Sequence, residues 1–194
     1  MNFDIVILAG GRSRRMGRDK AGIKLAGKTL LEHALTNAGA WGGRRILVAG
    51  QARPWVQARY IPDPPGHEPS SLLGIYAGLL ASSSPWVLVC ACDMPFICRE
   101  VVELLWAAKN RGGAVARWGR LQPLPGLYPR WAAGVIEEMF AERRYHLARL
   151  LDRLEPAVVD QVQIAARDPL GKSFFNVNSL EELAEAERLL RDED

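Results

Sequence analysis

The run Ile5-Val6-Ile7-Leu8-Ala9-Gly10-Gly11 passes from a short apolar stretch straight into two glycines, and no other feature constrains the fold as much. Two isoleucines and a valine in succession read as a buried parallel strand. Four arginines (Arg12, Arg14, Arg15 and Arg18), Lys20 and a third glycine, Gly17, follow within ten residues. Glycine lets a backbone approach a ligand closely and adopt positive φ. Successive N–H groups beside clustered cations favour a polyanion, most simply a nucleotide triphosphate. The competing reading is a solvated basic loop. Position favours the ligand, because open α/β sheets bind at the carboxyl ends of their strands.

Strand and helix patterns alternate along the rest of the chain. Thr29 to Glu32 fits a capping box that opens a helix closed near Gly39. Arg45 to Ala49 reads as a strand, Arg53 to Arg59 as a short helix, and Tyr60 to Asp63 as a strand end before the Pro64-Pro65-Gly66 loop. Leu72 to Leu80 reads as a helix and Pro85 to Cys92 as a buried strand that ends at Asp93-Met94-Pro95-Phe96. Glu100 to Lys109 is helical and Gly113 to Arg117 extended. Gln122 to Arg130 holds three prolines and reads as short, irregular strand. Trp131 to Arg143 and His146 to Leu154 are helical, and Pro156 to Val162 and Phe174 to Asn178 extended. Ser179 to Glu182 fits a second capping box, which opens a helix to about Arg191. This alternation predicts an α/β fold: a mostly parallel central sheet with helices on both faces, in one domain over residues 1–194.

Composition narrows the class. A net charge of +3 does not by itself imply nucleic acid. No apolar run approaches the roughly 20 residues of a membrane span. Met1-Asn2-Phe3-Asp4 leads directly into a strand, without the pattern of a signal peptide. The three cysteines, Cys90, Cys92 and Cys98, are too few for a disulfide framework. The expectation is a reduced, cytoplasmic protein.

Asp93 directly follows a buried strand, where a carboxylate can hold Mg²⁺ whose other ligands are waters and substrate phosphates. It can equally be a turn or N-cap carboxylate before Pro95, and position alone leaves both open. Asp63 by itself reads as a turn residue. Gly22-Ile23-Lys24-Leu25-Ala26-Gly27-Lys28-Thr29 fits the phosphate-loop pattern G-x-x-x-x-G-K-S/T to the letter. A true phosphate loop follows a hydrophobic strand, and the residues before this one are polar, so a short extended piece is the better reading. Cys90 and Cys92 read as small core residues, and no second Cys or His group completes a tetrahedral metal site. His33, His67 and His146 lie apart and beside no nucleophile. No G-x-S-x-G elbow supports Ser-His-Asp chemistry.

Leu8-Ala9-Gly10-Gly11-x-Ser13-x-Arg15-Met16-Gly17-x-Asp19-Lys20 resembles the signature of the MobA-like nucleotidyltransferases. The likeness continues through Cys92-Asp93-Met94-Pro95-Phe96 and Phe175-Asn176-Val177-Asn178-Ser179-x-Glu181-Glu182-Leu183, so its anchors span most of the chain. Within that group the Gly10-Gly11 pair looks most like the molybdenum cofactor guanylyltransferases. The resemblance implies a Rossmann-like, three-layer domain that joins GMP from GTP to molybdopterin and releases pyrophosphate, with Mg²⁺ as cofactor. It implies that Leu8, Ala9, Gly10 and Gly11 bind the nucleotide through their backbone, and that Arg15 and Lys20 hold its phosphates. Asp63 matches the family's aspartate near the guanosine, and Gly74 is what survives of a guanosine-side loop. Asp93 would bind Mg²⁺ and the triphosphate, with Asn176 and Asn178 completing the site. Leu121 to Tyr128 resembles the substrate-facing strand. A molybdoenzyme or another protein of cofactor biosynthesis is the implied protein partner; nucleic acid and membrane are not.

Two positions depart from the family pattern. The Gly-Pro-Leu-Ala-Gly-like loop reads Ser70-Ser71-Leu72-Leu73-Gly74, and the asparagine expected near Ala49-Gly50-Gln51 is missing. Both lie on the guanosine side, so base choice is less constrained than nucleotidyl transfer. The alternatives are a cytidylyl or sugar-phosphate nucleotidyltransferase on the same fold, and a non-catalytic nucleotide- or cofactor-binding adaptor for a molybdoenzyme. A nucleic-acid binder built on the four arginines ranks below both, because they lack interleaved aromatics.

Overall fold

In the computed structural model, residues 1–10 and 19–191 are described. Their elements, in chain order, are β1 (Phe3–Leu8), β2 (Lys24–Leu25), β3 (Lys28–Thr29), α1 (Leu30–Ala40), β4 (Ile46–Ala49), β5 (Tyr60–Ile61), α2 (Ser71–Ala81), β6 (Trp86–Ala91) and α3 (Arg99–Ala108). Then come β7 (Ala114–Trp118), β8 (Arg120–Pro129), α4 (Ala132–Ala141), α5 (Leu147–Leu154), β9 (Ala157–Val159), α6 (Gln161–Ala165) and α7 (Leu180–Arg191).

Seven strands form one sheet in the order β5-β4-β1-β6-β8-β7-β9. Four of its six pairings are parallel, and the two made by β8 are antiparallel. All six residues of β1 are buried, and they alternate between two cores as strand geometry requires. Phe3, Ile5, Ile7 and Ala9 join one core with residues of α1, α3 and α6. Val6 and Leu8 join the other with residues of α2, α4 and α5. The sheet is therefore the middle of three layers, as the alternation of elements predicts.

This topology brings one set of strand ends together. β1, β4, β5 and β6 run parallel, so Leu8, Ala49, Ile61 and Ala91 finish on one edge. Because β8 runs the other way, its first residues, Arg120 to Gln122, start on that same edge.

Local chemistry explains most boundaries. Thr29 and Glu32 make both halves of the capping box, with the Thr29 N–H donating to Glu32 Oε2 at 2.7 Å and the Glu32 N–H to Thr29 Oγ1 at 3.2 Å. The phosphate-loop match is a hairpin: β2 and β3 pair antiparallel around Ala26 (φ 47°) and Gly27 (φ 85°), the positive-φ pair of a type I′ turn.

Four sequence expectations change. Residues 53–59 form a turn, not a helix, because only Val56 among them is buried and Arg53 is committed elsewhere. Of the segment Gln122 to Arg130, all but Arg130 lies within a ten-residue strand, β8; its prolines are accommodated beside a register shift in the pairing with β7. The strand from Pro156 stops at Val159, where Asp160 and Gln163 form a capping box for α6. Residues 172–174 are a 3-10 turn held by the Asp168 carboxylate, which accepts from the Lys172 and Ser173 N–H groups at 3.0 and 2.8 Å. Residues 175–178 then lie outside any strand, beginning with an extended Phe175.

Candidate active site

The strand-end edge gathers side chains that are far apart in sequence. Asp93 follows β6 by two residues, and Lys20 lies in a 3-10 turn after Asp19. The Lys20 ammonium donates to Asp93 Oδ2 at 2.9 Å and to Asn178 Oδ1 at 2.6 Å. Both charged side chains are largely shielded, at 21% exposure for Lys20 and 15% for Asp93. The backbone sets this geometry too. The Val177 N–H donates to the Asp93 carbonyl at 2.9 Å, which sews the 175–178 segment to the end of β6. Asn178 is held in turn by its own N–H, which donates to Glu182 Oε2 at 2.6 Å. Ser179 Oγ accepts from the Glu182 N–H at 3.2 Å. The second capping motif thus forms with the Glu182 carboxylate accepting from the Asn178 N–H, one residue before Ser179.

The other oxygen of Asp93, Oδ1, is buried and has no hydrogen-bond partner among the described residues. An orphaned carboxylate oxygen is costly unless something charged meets it. No group of three or more His, Cys, Asp and Glu that could hold a metal occurs among the described residues. The single Asp93 carboxylate is a donor that fits Mg²⁺, which takes one or two carboxylates, keeps waters and takes the rest from substrate phosphates.

Leu8 and Ala9 are buried and their backbones are already engaged. The Leu8 carbonyl accepts from the Cys92 N–H at 3.0 Å, the Ala9 N–H donates to the Ala49 carbonyl at 3.0 Å, and the Ala9 carbonyl accepts from Arg53 at 2.7 Å. They fix the strand end, and Gly10 is the first exposed position after it. A Cβ at Gly10 would meet nothing within 4 Å among the described residues. Gly11 and Arg15 lie outside the described residues.

Asp63 is exposed, two residues beyond β5, and partial desolvation raises its carboxyl from the ordinary value. It is not in the Lys20–Asp93–Asn178 cluster. β5 and β6 are three strand spacings apart, roughly 14 Å at the usual interval. Gly74 lies in α2, where a Cβ would stand 2.9 Å from Leu8 Cδ2, so its small size lets the helix approach β1. Ser70, in the altered loop, caps α2 by accepting from the Leu73 N–H at 3.1 Å. Gly50 occupies the position near which the family's asparagine was expected. Its φ is +130°, and a Cβ there would meet Gly10 N at 3.1 Å.

Asn176 donates through Nδ2 to the Phe174 carbonyl at 2.9 Å. With Asn178, Arg120, Gln122, Phe174 and Glu182 it lines a cleft of about 500 Å³ at the same edge. Arg53 is a residue that reading the sequence missed. It follows Gly50 at the end of β4, the same strand-end position that singled out Gly10, and was absorbed into an expected helix. Cys90 and Cys92 are buried core residues, and burial pushes the Cys92 thiol up to about 12. Neither is a candidate nucleophile.

Residues 5–156 match the model of the MobA-like NTP transferase domain, and the chain belongs to that family. It is a nucleotidyltransferase. The molybdenum cofactor guanylyltransferase of Rhizobium leguminosarum bv. trifolii is 35% identical over 195 residues, covering 95% of this chain and 91% of the relative. A probable molybdenum cofactor guanylyltransferase of Methanosarcina acetivorans is 33% identical over 196 residues, covering 92% of this chain and 87% of the relative. Among solved structures, the molybdopterin-guanine dinucleotide biosynthesis protein A of Archaeoglobus fulgidus superposes with a TM-score of 0.81 at 25% identity, over 98% of this chain and all of that one.

Proposed function

We propose that this chain transfers GMP from GTP to the terminal phosphate of molybdopterin, forming molybdopterin guanine dinucleotide and pyrophosphate. The carrying observation is the Lys20–Asp93–Asn178 cluster at the strand ends, with one Asp93 oxygen unpartnered among the described residues. The names of the relatives support the choice of substrates.

The chemistry needs no enzyme nucleophile. A terminal phosphate oxygen of the acceptor forms a bond to the α-phosphorus of GTP, and the bond from that phosphorus to the β-bridging oxygen breaks. What the protein supplies is alignment and charge cancellation. Asp93 is the residue that would hold Mg²⁺, which would supply positive charge to offset that of the phosphates. Lys20, fixed by Asp93 and Asn178, presents its ammonium to the pyrophosphate as negative charge builds on it. Arg15 shares that task in this reading. Gly10 and Gly11 offer backbone N–H groups to the nucleotide, with Leu8 and Ala9 holding the strand end beneath them. Asp63 and Gly74 would stand on the guanosine side, and Asn176 and Asn178 would complete the site near the metal and phosphates. The cleft bounded by Arg120 and Gln122 receives the acceptor.

The reaction belongs in the cytoplasm, with a molybdoenzyme or a cofactor-biosynthesis protein receiving the product, and requires neither nucleic acid nor membrane. No helix among the described residues is long and apolar enough to cross a membrane. A cytidylyl-transferring reading is kept by one observation, that Ala49-Gly50-Gln51, near which the family's guanosine-side asparagine was expected, holds none.

Thermal unfolding with Mg²⁺ and GTP, CTP, ATP or UTP tests the nucleotide. A ligand at about 100 times its Kd stabilises the folded state by roughly 2.7 kcal/mol. For a chain of this length that raises Tm by about 5–11 °C. The expected result is a rise with GTP alone that is lost in Asp93→Ala. A rise with CTP or UTP instead changes the product. No rise with any nucleotide favours the adaptor.

A further inference from the structure

Arg53 has no part in the reaction above, yet its guanidinium is committed at four places. Nε donates to Asp19 Oδ2 at 2.7 Å, and Nη2 donates to Asp19 Oδ1 at 2.9 Å. Nη2 also donates to the Ala9 carbonyl at 2.7 Å, and Nη1 to the Gln51 carbonyl at 2.9 Å. The Arg53 side chain is only 10% exposed, while its partner Asp19 is 49% exposed. A bidentate fork of this kind fixes direction as well as distance.

The two groups it joins bracket the basic segment. Ala9 precedes residues 11–18 and Asp19 follows them. Ten residue steps can reach roughly 33 Å when extended, whereas here a single nitrogen bonds both ends. The rest of the loop after β4 does the same. Gly50 passes so near the end of β1 that a Cβ would stand 3.3 Å from the Ala9 carbonyl carbon, and the Trp55 ring lies 3.4 Å from where a Cβ of Gly22 would be. Asp19 is also the N-cap of the turn that carries Lys20, accepting from the Ala21 N–H at 3.2 Å. The Arg53 hydrogen bonds hold the Asp19 carboxyl below its ordinary value.

We propose that Arg53 is a positioning residue: it clamps Asp19 against the end of β1 and so sets where the Lys20 ammonium stands relative to Asp93. Its effect on turnover rests on the nucleotidyl-transfer reading above. The clamp itself does not.

The test uses the full chain with Arg53→Gln, Arg53→Lys, Asp19→Asn and the double variant Arg53→Gln/Asp19→Asn. Two readouts are taken: steady-state pyrophosphate release, and amide hydrogen exchange at Ala21 and Gly22 without nucleotide. Each single loss is expected to lower kcat roughly ten- to a hundredfold, the scale of a small misplacement of a reacting group, with nucleotide KM changed less than about threefold. Arg53→Lys, which keeps charge without the fork, falls between. Because Arg53 acts through Asp19, the double variant is expected to be no worse than the poorer single one. Exchange at Ala21 and Gly22 is expected to quicken about tenfold in Arg53→Gln, as for a locally opened turn.

Multiplying losses in the double variant, or a raised KM with kcat intact, would mean that Arg53 contacts substrate directly, and would overturn the proposal. A wild-type chain that releases no pyrophosphate overturns the reaction instead. Exchange still decides the clamp in that case: unchanged protection in Arg53→Gln refutes it and faster exchange upholds it. Should Arg53→Gln not fold, Arg53→Lys and Asp19→Asn carry the same comparison.

Discussion

Asp93→Asn is expected to lose on the order of 10²–10³ in kcat, the usual consequence of removing one preorganised electrostatic group from a transition state. The substitution keeps the shape and removes the charge. Oδ1, buried and unpartnered among the described residues, is the oxygen that a cation would take, and an amide meets a divalent ion far less well. Oδ2 holds Lys20 at 2.9 Å, so the ammonium also loses a tether. The fold should survive. The structural duty of residue 93 is carried by its backbone carbonyl, which accepts from Val177 and is unchanged by the substitution. Lys20→Ala is expected to lose most activity for the complementary reason. Steady-state kinetics across a Mg²⁺ series, with a melting curve for each variant, checks this. Near wild-type turnover in a folded Asp93→Asn or Lys20→Ala variant would sink the assignment.

The largest stability effect lies at the opposite end of β1. Asp4 is fully buried. Its carboxylate accepts from Arg45 Nη2 at 2.6 Å, Ser82 Oγ at 2.8 Å, Ser84 Oγ at 2.9 Å and the Ser83 N–H at 3.2 Å. Asp4→Asn removes the charge and turns one acceptor into a donor among donors. Breaking a buried pair costs about 3–5 kcal/mol, and the low end applies because Arg45 is 29% exposed and can regain water. A loss of about 3 kcal/mol is roughly 6–12 °C in Tm.

The pH dependence has a definite sign. Burial pushes the Asp4 carboxyl up, but the hydrogen bonds from Arg45, Ser82, Ser84 and Ser83 outweigh it and hold the group well below the usual carboxylate range. The unfolded chain takes up the proton first, near pH 3.9. The stabilisation is therefore complete above that value and fades as pH falls toward the folded-state value. Urea denaturation should show the gap between wild type and Asp4→Asn narrowing from pH 6 to pH 3. A gap that stays constant would contradict this account.

Elements specified by local chemistry were legible in the sequence. β1 shows as a β-branched run, α1 as a capping box, and Asp93 as the carboxylate that ends an apolar strand. What escaped depends on distant partners. Residues 53–59 read as a helix because nothing local says that Arg53 reaches across 34 positions to Asp19. The 172–174 turn is made by Asp168, whose carboxylate acts on backbone rather than on a recognisable side-chain pattern. β8 is held in the sheet by β6 and β7 on its two sides, and that pairing overrides what three prolines suggest locally. The contact between Lys20 and Asn178 spans 158 positions. Family resemblance supplied both residues, but only the fold shows that they touch. Glu182 was legible as a capping residue, while its hold on the Asn178 backbone was not.

The most direct test of the central claim is product analysis after incubating the purified chain with Mg²⁺, GTP and molybdopterin. The account predicts one pyrophosphate released for each pterin that gains a GMP, with GTP not replaced by CTP. GMP formed without a conjugated pterin, conjugation with CTP alone, or no pyrophosphate at all would contradict it.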